Sequence, residues 1–332
     1  MGEPDSTQRN PSSRHSRDTA GRYSRNRKLD LAAHAAWLYY IADNTQEEIA
    51  AKLDVSRQSA QRLVALAVSE KLIKFRLDHP LSSCIVKAEE LRDKFELLTC
   101  EVVPSGPDGS RNGLGVCGAA RLENYLSAKV PIIVAFSSGQ TLRTVVEQMP
   151  AMDQPQHKVV SIIGNMTHYG RAGRHEVVMH LSERTGAAAY PVPTPVVATS
   201  VKERKLLQTQ QSFLTVKSLV EQAKVTLVGV GNVGLNCPLQ EGGFVNDAEM
   251  TNLIKLGAVG EIAGWAYDQQ GILLKKGTNT RVAGVPLEQP VNRLTIAIAG
   301  GQNKANALLA ALKGKLINGL ITDEATAQFL LA

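Results

Sequence analysis

Apolar positions follow two rhythms along this chain, and the change falls near residue 100. Before it they recur every three or four residues, the spacing that lays one apolar stripe along a helix. Leu29 to Ile41 reads as a first helix of this kind. TQEEIAAKLDVSRQSAQRLVALAVSEKLI, from Thr45 to Ile73, reads as two more helices joined by a tight turn. Thr45 and Glu48 have capping-box spacing, so each side chain can satisfy a free amide at the helix start. Ile49, Ala50 and Leu53 form the inner face of that helix, and Asp54-Val55 breaks it. Ser56 caps the next, in which Ala60, Leu63, Val64 and Ala67 point inward. Lys74 to Pro80 reads as a short extended wing, and AEELRDKFELL (Ala88 to Leu98) as a charged amphipathic helix that links domains or pairs subunits.

From about Glu101 the apolar residues become continuous in short runs: PIIVAFS (131–137), KVVSIIG (158–164), KVTLVGV (224–230) and RLTIAIAG (293–300). Helical stretches such as LRTVVEQM and NKANALLAALKG separate them. Unbroken apolar strands alternating with helices predict a parallel sheet covered on both faces. The expected fold class is therefore α/β, with an N-terminal all-helical winged or helix-turn-helix domain before a larger Rossmann-like parallel-sheet domain. The expected boundaries are a basic arm at 1–28, the helix-turn-helix domain at 29–80, a linker helix at 81–100 and the sheet domain at 101–332.

The outer face of the third helix carries Arg57, Gln58, Gln61, Arg62 and Ala65. Two helices joined this tightly fit a helix-turn-helix whose second helix enters the major groove. Arg and Gln match guanine and adenine edges, while Ser and Thr reach phosphate. The candidate DNA-binding set is Thr45, Gln46, Ser56, Arg57, Gln58, Ser59, Gln61 and Arg62. A solvated helical hairpin is the alternative; the cap, the joint and the outer-face chemistry together favour a DNA reader.

Composition adds little to this and excludes some classes. The chain has 332 residues with 37 Lys and Arg against 31 Asp and Glu, a formal charge of +6, which permits a nucleic-acid partner without demanding one. Residues 1–28 hold seven basic and three acidic residues and almost nothing apolar, so a flexible basic arm is expected. The N-terminus has no signal-peptide core, and no apolar stretch reaches the ~18 residues of a membrane span, so a cytoplasmic protein without membrane contact is expected. Cys84, Cys100, Cys117 and Cys237 are scattered and read as free thiols. His168, His175 and His180 do not share a helical face and read as surface or pocket-rim residues, with no metal expected.

Ligands of open α/β sheets sit beyond the carboxyl ends of the strands. Ser137-Ser138-Gly139-Gln140-Thr141 follows one strand and opens a helix near Leu142, offering small residues, hydroxyls and free amides to an anion. Gly300-Gly301-Gln302-Asn303-Lys304 follows another and adds a cation. Either loop alone also fits an ordinary strand-to-helix turn; the pair points to a phosphorylated or polyhydroxylated ligand. GVGNVG (Gly229 to Gly234) matches dinucleotide-motif spacing, but Pro238 and Gly242-Gly243 break the helix that the motif requires. Its glycines are expected at the mouth of the same pocket, with no nicotinamide or other cofactor.

From residue 29 to its end the chain resembles the SorC-type sugar-binding transcriptional regulators of bacteria. The resemblance rests on TQEEIAAKLDVSRQSAQRLV, FSSGQTL, GAVGEIAGWAYDQQG (257–271) and the closing run IAGGQNKANALLAALKGKLINGLITDEATAQFLLA. It implies a large domain similar in fold to sugar-phosphate isomerases and deaminases, which binds a sugar, polyol or sugar-phosphate effector and thereby changes the assembly of a tetramer on operator DNA. Since specific sites are usually read as paired half-sites, a homodimer or homotetramer is expected. Carried onto matching positions, it implies an effector set of Ser137, Ser138, Gly139, Gln140, Thr141, Asn165, Gly231, Asn232, Glu261, Asp268 and Lys304. Gln140 replaces a frequent Arg or Thr, and Met166 a frequent Gly, which keeps an unphosphorylated polyol or ketose among the candidates. The other function class is a sugar-phosphate isomerase or deaminase with an added DNA-binding head. Such an enzyme needs a positioned base; Glu261 or Asp268 offers one, without an evident acid partner.

Overall fold

Thr45 and Glu48 form the reciprocal cap that their spacing calls for. The Thr45 backbone N–H donates to Glu48 Oε2 at 2.7 Å, and the Glu48 N–H donates to Thr45 Oγ1 at 3.3 Å. The computed structural model describes residues 15–73, 82–105, 111–174 and 176–332, and the chain divides into two units between residues 78 and 79. In the first unit the described helices are α1 (His15–Tyr40), α2 (Gln46–Leu53) and α3 (Arg57–Ser69). Asp54 ends α2 in the left-handed conformation at φ 52°, and Ser56 Oγ accepts the Ser59 N–H to start α3. Ala32, Ala35, Ala36 and Leu38 of α1 pack with Ile49, Ala60, Leu63, Val64 and Ala67. The small residues let three helix axes approach closely, and the expected inner face of α3 is the buried one.

One difference concerns the basic arm. α1 begins at His15, so the second half of the segment expected to be flexible is helical. Extending a helix that is already nucleated by a packed segment costs little, even through polar residues. Residues 1–14 and the wing expected at 74–80 lie outside the described residues.

The second unit opens with α4 (Ser82–Phe95), six residues earlier than the helix read at 88–98, and passes directly into β1 (Thr99–Val103). The order continues α5 (Arg111–Leu126), β2 (Ile133–Phe136), α6 (Gln140–Gln148), β3 (Lys158–Met166), α7 (Val178–Thr185), β4 (Ala188–Pro195), α8 (Val201–Gln208), α9 (Gln211–Glu221) and β5 (Val225–Val228). After β6 (Gly231–Asn232), α10 (Pro238–Glu241) and α11 (Asp247–Lys255) come the short strands β7 (Gly260–Ile262) and β8 (Trp265–Tyr267). β9 (Thr295–Ile298), α12 (Gln302–Lys313), β10 (Gly319–Asp323) and α13 (Glu324–Leu331) close the chain.

Seven strands form one sheet in the order β1-β10-β9-β5-β2-β3-β4, every pair parallel. β5, β9 and β10 are buried at every position, because both sheet faces are covered. One core lies between the sheet and α4, α9, α12 and α13, and the other between the sheet and α5, α6 and α7. β6, β7 and β8 make a separate antiparallel sheet.

The strand order places the site. From β2 the chain moves outward to β3 and β4, whereas from β5 it moves the other way to β9. β2 and β5 are neighbours, so the direction reverses between them and opens a crevice at their carboxyl ends.

Candidate functional site

On the first unit, the eight sequence-derived candidates divide by what their side chains already do. Thr45 Oγ1 lies 2.9 Å from Glu48 Oε2, and Ser56 Oγ lies 2.9 Å from Ser59 Oγ. These three hydroxyls are taken up by helix starts, and Gln46 is half-buried. Arg57, Gln58, Gln61 and Arg62 are exposed. Arg57 Nε sits 2.9 Å from Glu47 Oε1 across the turn, with both side chains more than half exposed. Such a pair contributes little and yields easily to a phosphate. Gln58, Gln61 and Arg62, at i, i+3 and i+4, form one projecting row.

In the second unit, three loops meet at the crevice. Ser137 is buried at the end of β2, and its Oγ accepts the Gly229 N–H of the loop after β5 at 3.0 Å. Gly139 and Gly301 are the N-caps of α6 and α12, at φ 129° and 99°, conformations that glycine adopts freely. Neither supplies a side-chain cap, so first-turn amides of both helices face the crevice end of the sheet without one. Thr141 is buried in the first turn of α6, while Gln140 is exposed.

Glu261 projects from β7 toward Gly231, its partner on β6. A Cβ at Gly231 would fall 2.1 Å from Glu261 Oε1, so the glycine makes room for this carboxylate. Glu261 Oε2 accepts the Gly264 N–H at 2.8 Å. Burial raises the Glu261 pKa, opposed by that hydrogen bond and then by the charge of Lys304. Lys304, in the first turn of α12, is lowered by burial; Glu261 pulls it back up, and Arg111 pushes it further down. Lys304 and Glu261 are both half-buried.

Arg111 went unread in the sequence. It is the first residue of α5 and lies within electrostatic range of Lys304. A cation in the first turn of a helix opposes the helix dipole unless an anion offsets it. Lys304 and Arg111 both hold that adverse position, and this was the signal available.

The remaining candidates fall at varied distances. The Asn165 carbonyl accepts the Gly173 N–H at 2.7 Å, and Asn232 ends β6; both are half-buried at the rim. Beyond Asn165, Arg171 Nη2 donates to the Gly242 carbonyl at 2.5 Å and joins two rim loops. Asp268 is not brought to this cluster. Its Oδ1 accepts the N–H groups of Gln270 and Ile272, both at 2.9 Å, and its turn packs beside Ala310 and Gly314. That is the opposite end of α12 from Lys304, roughly 15 Å along the helix.

GVGNVG runs from β5 into β6 and meets no helix until the single turn of α10. His168 packs against the Tyr169 ring at a 43° tilt, His180 lies 3.5 Å from Glu183, and His175 is outside the described residues. Two cavities of about 310 and 390 Å³ lie away from the crevice, one between α4 and β1 and one beneath the amino ends of β2 and β3. Cys84, Cys100 and Cys117 line the first; burial holds the Cys100 thiol up at about 12 and raises Cys117 as well, so both stay protonated. All four cysteines are free. Among the described residues no helix is long and apolar enough to cross a membrane.

Residues 79–332 match the family model described as "Putative sugar-binding domain". The chain is 32% identical over 303 residues to the erythritol catabolism regulatory protein EryD of Brucella abortus (strain 2308), spanning 91% of this chain and 96% of that one. It is 29% identical over 310 residues to the deoxyribonucleoside regulator of Bacillus subtilis (strain 168), spanning 92% and 98%. The crystal structure of the full-length sorbitol operon regulator SorC from Klebsiella pneumoniae is similar at a TM-score of 0.72 and 25% identity, covering 92% of this chain and 99% of that chain. These relatives are named as regulators, not enzymes.

Proposed function

We propose the following function for a chain that belongs to the SorC-type family of sugar-binding transcriptional regulators: it binds operator DNA through the outer face of α3, and a small polyhydroxylated anion in the crevice controls that binding. The observation that carries the effector class is the convergence of Lys304 and Arg111 at helix N-termini, beside the first turns of α6 and α12. Phosphate offsets both adverse charges and accepts the free amides. In this reading the Glu261 carboxylate accepts hydroxyl hydrogen bonds from the polyol part. An operator reader works in the cytoplasm, on genes for carbohydrate uptake or catabolism. Three relatives are named for erythritol, deoxyribonucleoside and sorbitol, so the probes are erythritol, 2-deoxyribose, sorbitol and the phosphate monoester of each.

A thermal-shift screen of these six compounds tests the site. A ligand that binds only the folded state raises the melting temperature, by about 2.7 kcal/mol of added stability at 100 times its Kd. At least one phosphate ester is expected to do so and to change operator affinity. Turnover of a sugar phosphate at ordinary enzyme rates would overturn the regulator.

The charge pair has a pH signature. Lys304 loses its proton below the ordinary lysine value, so affinity for a phosphate ester should fall as pH rises through that lowered value. Glu261→Gln deletes the charge that holds the Lys304 pKa up, and the decline should then begin at lower pH than in the native protein. Lys304→Ala should weaken the ester more than the parent polyol at every pH below the decline. Titrations at several pH values check this; identical pH profiles for native and Glu261→Gln proteins would remove Lys304 from the phosphate site.

Helix-turn-helix proteins usually read paired half-sites, and a single one buries little DNA surface. The protein is therefore expected as a homodimer or homotetramer, with α1 as one contact. Trp37 on that helix and Ile41 just past its end are 53% and 69% exposed, whereas the inner face of α4 is occupied by its own domain through Leu91. Light scattering at micromolar concentration should give at least twice the chain mass. Trp37→Glu should weaken that association; a strict monomer, with and without DNA, would refute it.

A further inference from the structure

We infer that Glu324, next to Asp323, couples the effector crevice to α4, the helix through which the second unit is joined to the DNA-binding unit. This rests on the crevice being the effector site. Asp323 ends β10 and is 1% exposed. Its Oδ2 accepts the Gly301 N–H at 2.8 Å, and its Oδ1 accepts the Thr326 N–H at 2.8 Å, which caps α13. Gly301 donates again to Thr326 Oγ1 at 2.9 Å. The loop that carries Lys304 is therefore tied to the first turn of α13 from two sides. A Cβ at Gly300 would fall 2.0 Å from Asp323 Oδ2, so loop and carboxylate fit without slack.

The next residue points to the other helix. Glu324 Oε1 accepts from Ser83 Oγ at 2.9 Å and from Lys87 Nζ at 3.1 Å, both on the first turns of α4. These two contacts also hold the Glu324 carboxyl below its ordinary range, Ser83 first. At the far end of α4, Lys94 Nζ donates to the carbonyls of Leu330 and Leu331 at 3.0 and 2.9 Å. α4 and α13 are thus clamped at both ends, one clamp lying one residue from Asp323, which holds the effector loop. α4 follows the DNA-binding unit directly in the chain, across residues 74–81. A shift of the Gly300–Lys304 loop on binding moves Asp323, and with it Glu324 and the start of α4. The Lys87–Glu324 pair is partly exposed, at 17% and 36% of side-chain surface, and contributes little to folding, so its position in this chain of contacts is what needs an explanation.

Coupling requires that the effector bind the two states of such an element with different affinity. The test uses the full-length protein and the probe from the six-compound screen that gives the largest melting shift. The variants are Lys87→Glu, Glu324→Lys and the double charge swap. In each, the melting shift with the probe and the probe-free operator affinity should stay within about twofold of native. The probe-induced change in operator affinity, ordinarily about 5- to 150-fold for allosteric proteins, should fall below about twofold in both single variants and return in the double. Single variants that keep the full response while binding the probe would overturn the coupling. A double variant as unresponsive as the singles would also overturn it, because the loss would then not belong to the pair. If none of the six probes binds the native protein, the effector reading itself falls, and this inference with it.

Discussion

Gly300→Ala is expected to cost the second unit about 2–6 kcal/mol and to abolish its effector response. The added Cβ would meet Asp323 Oδ2 at 2.0 Å and Leu114 at 3.2 Å. The carboxylate has nowhere to turn, since it is buried and both its oxygens hold backbone N–H groups. Overpacking of this kind costs about 1–3 kcal/mol. Pulling a buried carboxylate from its amide donors adds about 1–3 more. At roughly 2–4 °C per kcal/mol for a domain of this size, the second unit should melt about 4–24 °C lower. Gly113→Ala is the control: it lies inside α5, and its Cβ would meet Val103 at an ordinary 3.4 Å, so it should be neutral or slightly stabilising. Calorimetry on both variants, with operator binding measured below the transition, gives the result. A Gly300→Ala protein that melts with the native one and still answers the effector would mean that this loop has slack.

Replacing Gln58 and Gln61 together by Ala should erase most of the sequence preference. A bidentate amide–adenine contact discriminates by about 1–3 kcal/mol. Losing two should lower the ratio of operator to random-DNA affinity by about 30-fold or more. Neither side chain is charged, and non-specific binding comes from cations on phosphate, so affinity for random DNA should change less than about threefold. Both residues are exposed and carry no cap, so α3 should remain folded. Arg62→Ala should behave differently: as a phosphate contact it would weaken all sequences alike and lower the salt slope by about one. Operator and random duplexes titrated at several salt concentrations separate the cases. Equal weakening on both by the double Gln variant would mean that another face of the unit reads the bases.

The signals legible in the sequence were local. Capping at Thr45 and Ser56 is decided within three residues, and the inner face of α3 by helical spacing alone. β2, β5 and β9 announced themselves because burial on both faces leaves no charged position in the run, only Thr226 and Thr295 among apolar residues. β4 is not among the apolar runs, because Pro191, Pro193 and Pro195 interrupt it; at the edge of a sheet those prolines are tolerated and block further pairing. β6, β7 and β8 are too short to carry a period. Asp268 shows the same limit from the other side: its motif position was readable, but the turn that consumes its carboxylate was not.

By itself, then, the sequence determined a helix-turn-helix with Arg57, Gln58, Gln61 and Arg62 outward, and a parallel α/β unit with glycine-bearing loops opening helices after β2 and β9. Strand order was decided only in three dimensions, because apolar periodicity says which residues are buried and not which strands are neighbours. That order sets β2 beside β5 and makes the crevice, where Ser137 meets Gly229 from 92 residues away. It brings Glu261 and Arg111 into electrostatic range of Lys304, and carries Glu324 to Ser83 across 241 residues. Contacts at such separations depend on how whole faces pack, and no window of sequence contains both partners.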